Sequence, residues 1–160
     1  MEVADLLAAL NAGHTITGDS LLHEVMLRVS QDALRITGEL NGGYQEPVRV
    51  RELLSQLTGR PVDESVTVFP PFYSDFGKNI SLGDRIFINS GCKFQDQGGV
   101  VIGDDCLIGH NVVIATLNHD LMPSRRADLH PAPASVVTKD VPESAIVVGS
   151  PARVVRALTD

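Results

Sequence analysis

Phe76 to His119, FGKNISLGDRIFINSGCKFQDQGGVVIGDDCLIGHNVVIATLNH, decides the fold. Read in steps of six, Phe76, Leu82, Ile88 and Phe94 fall on one register. A two-residue slip follows through Gly98-Gly99, and Ile102, Ile108 and Ile114 resume the step. Four residues after most of these positions stand smaller or branched groups: Ile80, Ile86, Cys92, Cys106 and Val112. An α-helix repeats near 3.6 residues and a simple strand at two, so a period of six belongs to neither. It is the hexapeptide signature of a parallel β-helix. Each hexapeptide is a short strand plus a turn, three close one triangular coil, and the large apolar residue points inward. Asn79, Asp84, Asn89, Asp104, Gly109 and Asn111 stand between the apolar positions and suit the corners.

Upstream, residues 1–60 read as helical. Val3 to Leu10 is a short apolar helix ended by Asn11 and Gly13. Asp19 or Ser20 can cap a longer helix whose apolar stripe includes Leu22, Val25, Val29, Ala33, Ile36 and Leu40. Asn41-Gly42-Gly43 stops it. Pro47 opens a third helix with Val50, Leu53, Leu54 and Leu57 on its buried side, and Gly59 ends it. These helices are expected to cap the open end of the β-helix. Residues 61–75 connect, with a first strand at Val66–Phe69, and Pro70-Pro71 bars helix.

After Ile114 the register breaks. The polar, proline-rich run from Pro123 to Pro133 reads as a loop thrown out of the solenoid, an excursion spanning 119–133. Val136 to Pro142 is a strand and turn, Ile146–Gly149 a last strand, 150–160 a tail, and Ala152 to Leu158 a short helix. Domain organisation is therefore a helical cap over 1–60 and a β-helix over 61–160.

Composition narrows the function. A formal net charge of −7 argues against nucleic acid as a partner and requires any polyanionic ligand to be held by local cations. There is no long apolar run, so no membrane span is expected, and the acidic start Met1-Glu2-Val3-Ala4-Asp5 does not read as a signal peptide. Cys92 and Cys106 fall on inward positions and read as reduced thiols of a cytoplasmic protein.

Particular motifs carry a family resemblance. Pro70-Pro71-Phe72 through Ile80, Asn89, Ile102-Gly103-Asp104, Ala115 to His119, Val137 to Pro142 and Gly149 to Arg153 together resemble the maltose/galactoside O-acetyltransferases, the sugar branch of the hexapeptide-repeat acyltransferases. The resemblance covers nearly the whole chain. It implies a left-handed parallel β-helix, a homotrimer with active sites between subunits, and transfer of an acetyl group from acetyl-CoA to a hydroxyl of a sugar or similar small acceptor. One departure stands out. In the family the excursion loop is followed by about five more hexapeptides, including an Asn-Val-Trp-Ile-Gly motif. Here Pro133 runs straight into Ala134-Ser135-Val136, and Trp is absent.

Position by position, the resemblance makes His119 the catalytic histidine. A sugar hydroxyl is a poor nucleophile, and an imidazole with a pKa of about 6.5 is suited to take its proton. Asn89 matches a position near that base, and a plain coil corner explains it as well. Asp19, Phe87 and Asp96 match acceptor contacts, although the family's sugar-contacting carboxylate can fall one residue later, at Gln97. Thr138, Lys139, Arg153 and Arg156 match the tail that binds coenzyme A, where cations suit phosphate. No activated Ser or Cys nucleophile stands out, so transfer is expected to be direct. A zinc reading of His110, His119 and His130 is set aside because the three make no tight set. The rival to an enzyme is a catalytically weak or inactive β-helix scaffold, since the family's missing coils supply part of the cofactor groove and an oxyanion donor. Loss of such a donor costs about a hundred- to a thousandfold.

Overall fold

A computed structural model describes residues 1–117, 139–148 and 152–158. Three helices come first: α1 (Val3–Asn11), α2 (Leu21–Asn41) and α3 (Pro47–Thr58). Ser20, not Asp19, is the cap of α2, its hydroxyl accepting from His23 N–H at 3.2 Å. Pro47 sits in the first turn of α3, and Gly59 closes that helix in the left-handed conformation at φ 72°. Lys78 reaches back from the first coil and donates to the carbonyls of Gln56 and Leu57 at 2.6 and 2.7 Å. Those are carbonyls the last helical turn cannot satisfy itself.

Eight short strands follow: β1 (Thr67–Val68), β2 (Tyr73–Ser74), β3 (Ile80–Leu82), β4 (Phe87–Ile88), β5 (Lys93–Gln95), β6 (Val100–Ile102), β7 (Leu107–Ile108) and β8 (Val113–Ala115). They stack in three parallel sheets, β1-β4-β7, β2-β5-β8 and β3-β6. Thr67 pairs Phe87 and Phe87 pairs Leu107, so one coil takes 20 residues. The same offset relates Lys93 to Val113 and Ile80 to Val100. This is a parallel β-helix, as the period of six requires.

The inward column corrects one position of the sequence reading. Phe94 stacks on Ser74, not on Phe76. From Ser74 to Leu82 is eight residues, the same enlarged corner that Gly98-Gly99 makes one coil later. Phe76 leaves the coil there and packs, fully buried, with Leu6, Leu10, Ile16, Val25 and Val29 beneath α1 and α2. A second cluster joins Ile36, Leu40 and Leu53 of the helices to Val66, Phe72 and Ile88 of the coils. The helices therefore lie against the first coil and share its core. Asn41, at the end of α2, fixes them there: its amide donates to Phe72 C=O and accepts from Phe72 N–H, both at 2.9 Å.

Burial falls along the solenoid. Ile86, Ile88, Cys92 and Phe94 are at most 1% exposed, while Cys106, Ile108, Val112 and Ile114, one coil on, are only partly buried. The C-terminal residues correct the sequence reading a second time. Arg153–Ala157 is a strand, β10, not a helix, and it pairs antiparallel with β9 (Ala145–Val148) in a sheet of its own. Val154 and Val155 are β-branched and favour that extended backbone.

Candidate active site

β8, the third strand of the sheet β2-β5-β8, ends at Ala115, four residues before His119. His119 and Thr138 lie outside the described residues, and so does His130. Leu117 is the last described residue before His119.

Asn89 sits half-buried at the corner after β4. Its side-chain oxygen accepts from Ser90 N–H at 2.9 Å, and its carbonyl accepts from the Cys92 thiol at 3.1 Å. The structure thus gives Asn89 a corner role, and its side-chain amide NH2 makes no hydrogen bond among the described residues. Cys92 is fully buried, and burial pushes its thiol above the ordinary range. Phe87 points out of the coil, edge-on to Phe69 with centroids 5.2 Å apart. Asp19 is exposed in the turn ahead of α2.

Asp96 lies two residues past the inward Phe94 and is fully buried. Its Oδ1 accepts from Ser74 Oγ at 2.8 Å and from Phe76 N–H at 3.1 Å, while Oδ2 has no partner among the described residues. Desolvation raises its carboxyl above the usual range, against the lowering effect of Ser74 and nearby backbone N–H groups. This carboxyl faces the interior and ties one coil to the next. Its neighbour Gln97 is also buried, with Oε1 unpartnered among the described residues. Asn79 links that corner to the helices, donating to Gln97 C=O and to Asn11 Oδ1, both at 2.9 Å.

One coil further, Thr116 takes the place of Asp96. Its hydroxyl donates to Gln95 C=O at 2.8 Å and accepts from Gly98 N–H at 2.9 Å. Neither Ser74 nor Thr116 stood out in the sequence. The signal was there: positions 96 and 116 are one coil apart, and both carry short polar side chains two residues past an inward apolar one.

Lys139, Arg153 and Arg156 are exposed, and among the described residues they form no ion pair. They are therefore available to an anionic ligand. His110 is exposed at its corner, and no group of three metal-ligating side chains exists among the described residues. A cleft of about 420 Å³ between the α2–α3 connection and β1, lined by Tyr44, Arg51, Thr67 and Phe69, contains none of the candidate catalytic, acceptor or cofactor residues named from the sequence.

No protein-family model matches the chain. A Staphylococcus haemolyticus protein named as a candidate acetyltransferase is 34% identical over 143 residues, covering 70% of this chain and 74% of its own. The galactoside O-acetyltransferase of Escherichia coli is 27% identical over 153 residues, covering 76% of this chain and 75% of its own. Because 76% of 160 residues is about 122, some 30 residues of that alignment face none here. Among solved structures, a hexapeptide-repeat acetyltransferase of Vibrio cholerae in complex with acetyl coenzyme A superposes with a TM-score of 0.71. It is 25% identical, and the match covers 97% of this chain and 99% of that one.

Proposed function

The chain belongs to the sugar O-acetyltransferase family of hexapeptide-repeat proteins, and from that premise we propose that it carries an acetyl group from acetyl-CoA to a hydroxyl of a sugar or similar small acceptor, with His119 as general base. The observation that carries this reading is the likeness over nearly the whole chain to an acetyltransferase solved with acetyl coenzyme A. We take the coil to wind left-handed, with the three helices as its cap, as the hexapeptide pattern implies.

The chemistry needs few groups. His119 takes the acceptor hydroxyl proton as that oxygen attacks the thioester carbonyl. The tetrahedral intermediate collapses, the carbon–sulfur bond breaks, and the proton passes to the departing thiolate. The buried, raised thiol of Cys92 favours this direct route over an acyl-enzyme, because a thiolate is the nucleophilic form. Lys139, Arg153 and Arg156, with Thr138, are suited to the phosphates of the donor. Asn89 has a side-chain amide, without a hydrogen bond among the described residues, to offer the acceptor or the base. Asp19 and Phe87 remain as acceptor contacts, while the burial of Asp96 favours a supporting role.

A homotrimer with sites between subunits completes this reading. Val101 and Leu107 support it, as outward apolar side chains 84% and 80% exposed on the coil faces. The alignment shortfall of about 30 residues is the size of five hexapeptides, which is what keeps a weakened catalyst in view as the second reading.

Replacing His119 with Ala and following acetyl-CoA-dependent acetylation of a panel of sugars tests the assignment. The expected loss is about 10²- to 10⁴-fold in kcat. A loss of tenfold or less overturns His119 as base. A wild type that binds coenzyme A in calorimetry yet acetylates nothing supports the second reading.

A further inference from the structure

We propose that the cleft between the α2–α3 connection and β1 is a binding site for a small N-acylated amino acid, an aromatic or apolar body carrying a secondary amide beside a carboxylate. The site stands apart from the transfer reaction and does not rest on the assignment of His119.

The cleft measures about 420 Å³, the size of a pocket that takes a small organic ligand. Its walls are largely apolar: Val50 of α3, Pro70, and the rings of Tyr44 and Phe69, which stand 83% and 52% exposed. Phe69 is braced edge-on against Phe87, so its ring is a fixed wall. Two aromatic rings left open to water in one cleft are surface that a ligand gains by covering.

Two polar features of the cleft are unspent. The first is the free edge of β1. Thr67 and Phe69 send their N–H groups to Ile86 and Ile88 C=O, both at 2.9 Å, so strand alternation turns the N–H and C=O of Val68 the other way, to the side of the cleft. Elsewhere on this edge the chain supplies its own partners. Asn41 pairs both backbone groups of Phe72, and Asp63 C=O accepts from Val66 N–H at 3.1 Å. Val68, only 4% exposed, has no such partner among the described residues, a state in which buried backbone groups are seldom left. The second feature is Arg51, half-buried one turn into α3 on the face it shares with Pro47 and Val50. Arg49 has Glu39 and Glu52, Arg35 has Asp32, and Arg85 has Asp104 and Asp105, whereas Arg51 forms no ion pair among the described residues. Glu46, next to the cleft in sequence, is engaged by the Tyr44 hydroxyl. Asp63 feels the charge of Arg51 but accepts from Ser65 N–H.

These features fit one chemistry. A residue laid antiparallel against Val68 would donate its amide N–H to Val68 C=O and accept from Val68 N–H through one carboxylate oxygen, the exchange made in a hydrogen-bonded antiparallel pair. The second carboxylate oxygen is then left for Arg51, whose guanidinium favours carboxylates. The edge has room for one residue and not for a longer peptide, because Val66 N–H is already spent and Pro70 has no N–H to give.

Titration of N-acetyl-L-phenylalanine into the protein tests this, followed by calorimetry and by the backbone amide signals in NMR. The expected Kd is about 0.1–1 mM, the range for a ligand of this size. The Val68 N–H should shift and become protected from exchange. N-acetyl-L-phenylalaninamide, which lacks the charge, should bind about ten- to a hundredfold more weakly, and Arg51→Gln should weaken the acid by as much. 3-Phenylpropanoate, which lacks the amide, should bind about three- to tenfold more weakly. Arg49→Gln removes a charge outside the cleft and should leave Kd within about twofold. The proposal is overturned by no binding at about 10 mM, by shifts that omit Val68, by equal effects of Arg51→Gln and Arg49→Gln, or by an uncharged amide that binds as well as the acid. Displacement by saturating coenzyme A also overturns it, since the ligand would then occupy the cofactor site. The comparison of acid, amide and 3-phenylpropanoate uses the wild type alone and decides the matter even if Arg51→Gln fails to fold.

Discussion

Asn41→Ala tests how the helices are held on the solenoid. The side-chain amide of Asn41 pairs with both backbone groups of Phe72, a residue only 2% exposed. Phe72 N–H can only donate and its C=O only accept, so the amide has one workable orientation. Truncation to Ala strands both groups. Each buried, unpaired group costs about 1–3 kcal/mol. Asn41 is half-buried, so water reaches the vacated space and the lower part of that range applies, giving a loss of about 2–3 kcal/mol for the pair. In urea, with an m-value near 2 kcal/mol/M, the midpoint should fall by about 1–1.5 M. Asn41→Asp separates the two bonds. It keeps an acceptor for Phe72 N–H but turns a second carboxylate oxygen toward Phe72 C=O. At pH 7 it should be at least as unstable as Asn41→Ala. A carboxyl that donates only when protonated has a raised folded-state pKa, so its stabilising contribution is present in acid and lost as pH rises through that value. Asn41→Asp should therefore recover relative to wild type as pH falls toward 4. An Asn41→Ala loss below 0.5 kcal/mol, or an Asn41→Asp protein as stable as wild type at pH 7, would refute the reasoning.

Other consequences follow from the same packing. At Gly77, φ is +79° and an added Cβ would meet Leu57 Cδ1 at 2.6 Å and Leu57 O at 2.7 Å. At Gly13, φ is +72° with nothing within 4 Å. Gly13→Ala should then cost only the left-handed strain of about 1–2 kcal/mol, and Gly77→Ala clearly more; equal losses on denaturation would show that α3 does not press on the first coil. Asp96 has a carboxyl raised by burial, so the wild type loses stability as pH climbs out of the ordinary carboxylate range. Asp96→Asn should be free of that loss, and its stability relative to wild type should improve from pH 3 to pH 7; a difference that stays flat with pH denies the burial cost. Arg153→Gln and Arg156→Gln should each raise KM for acetyl-CoA about two- to fivefold and weaken its dependence on salt, with kcat little changed. Unchanged KM in both would remove the β9–β10 hairpin from the cofactor site.

The sequence is most legible where one residue has one job. Leu82, Ile88, Phe94, Ile102, Ile108 and Ile114 all point inward in the structure, because a coil interior accepts only apolar side chains at a fixed period. Phe76 breaks the inference for the same reason that it suggested it. It is large and buried, but the core it fills belongs to α1 and α2, and only the pairing of Ser74 with Phe94 shows that the coil corner begins two residues earlier. The Arg153–Ala157 strand was hidden differently: a pairing partner that ends five residues upstream of its start, not its own composition, decides its conformation.

The site was legible to the extent that its chemistry is carried by motif and not by burial. Asp96 illustrates the limit. As a residue type at a matching position it reads as an acceptor ligand, yet its oxygens are spent on Ser74, on Phe76 N–H and on an interior with no partner for the remainder. A carboxylate is retained in such a place at a desolvation cost, so the bonds it makes must be worth more than an apolar residue would give. What those bonds hold is the enlarged corner, and in the next coil Thr116 holds the same corner with a hydroxyl. The two residues differ in charge because their surroundings differ. Asp96 is sealed under the helices, with two donors converging on it. Thr116 stands at the edge of the last described coil, where one donor and one acceptor converge and a neutral group that does both is sufficient. A sequence displays the repeat of apolar residues because they are interchangeable. It hides the repeat of corner clasps because Asp and Thr answer the same geometric demand with different chemistry.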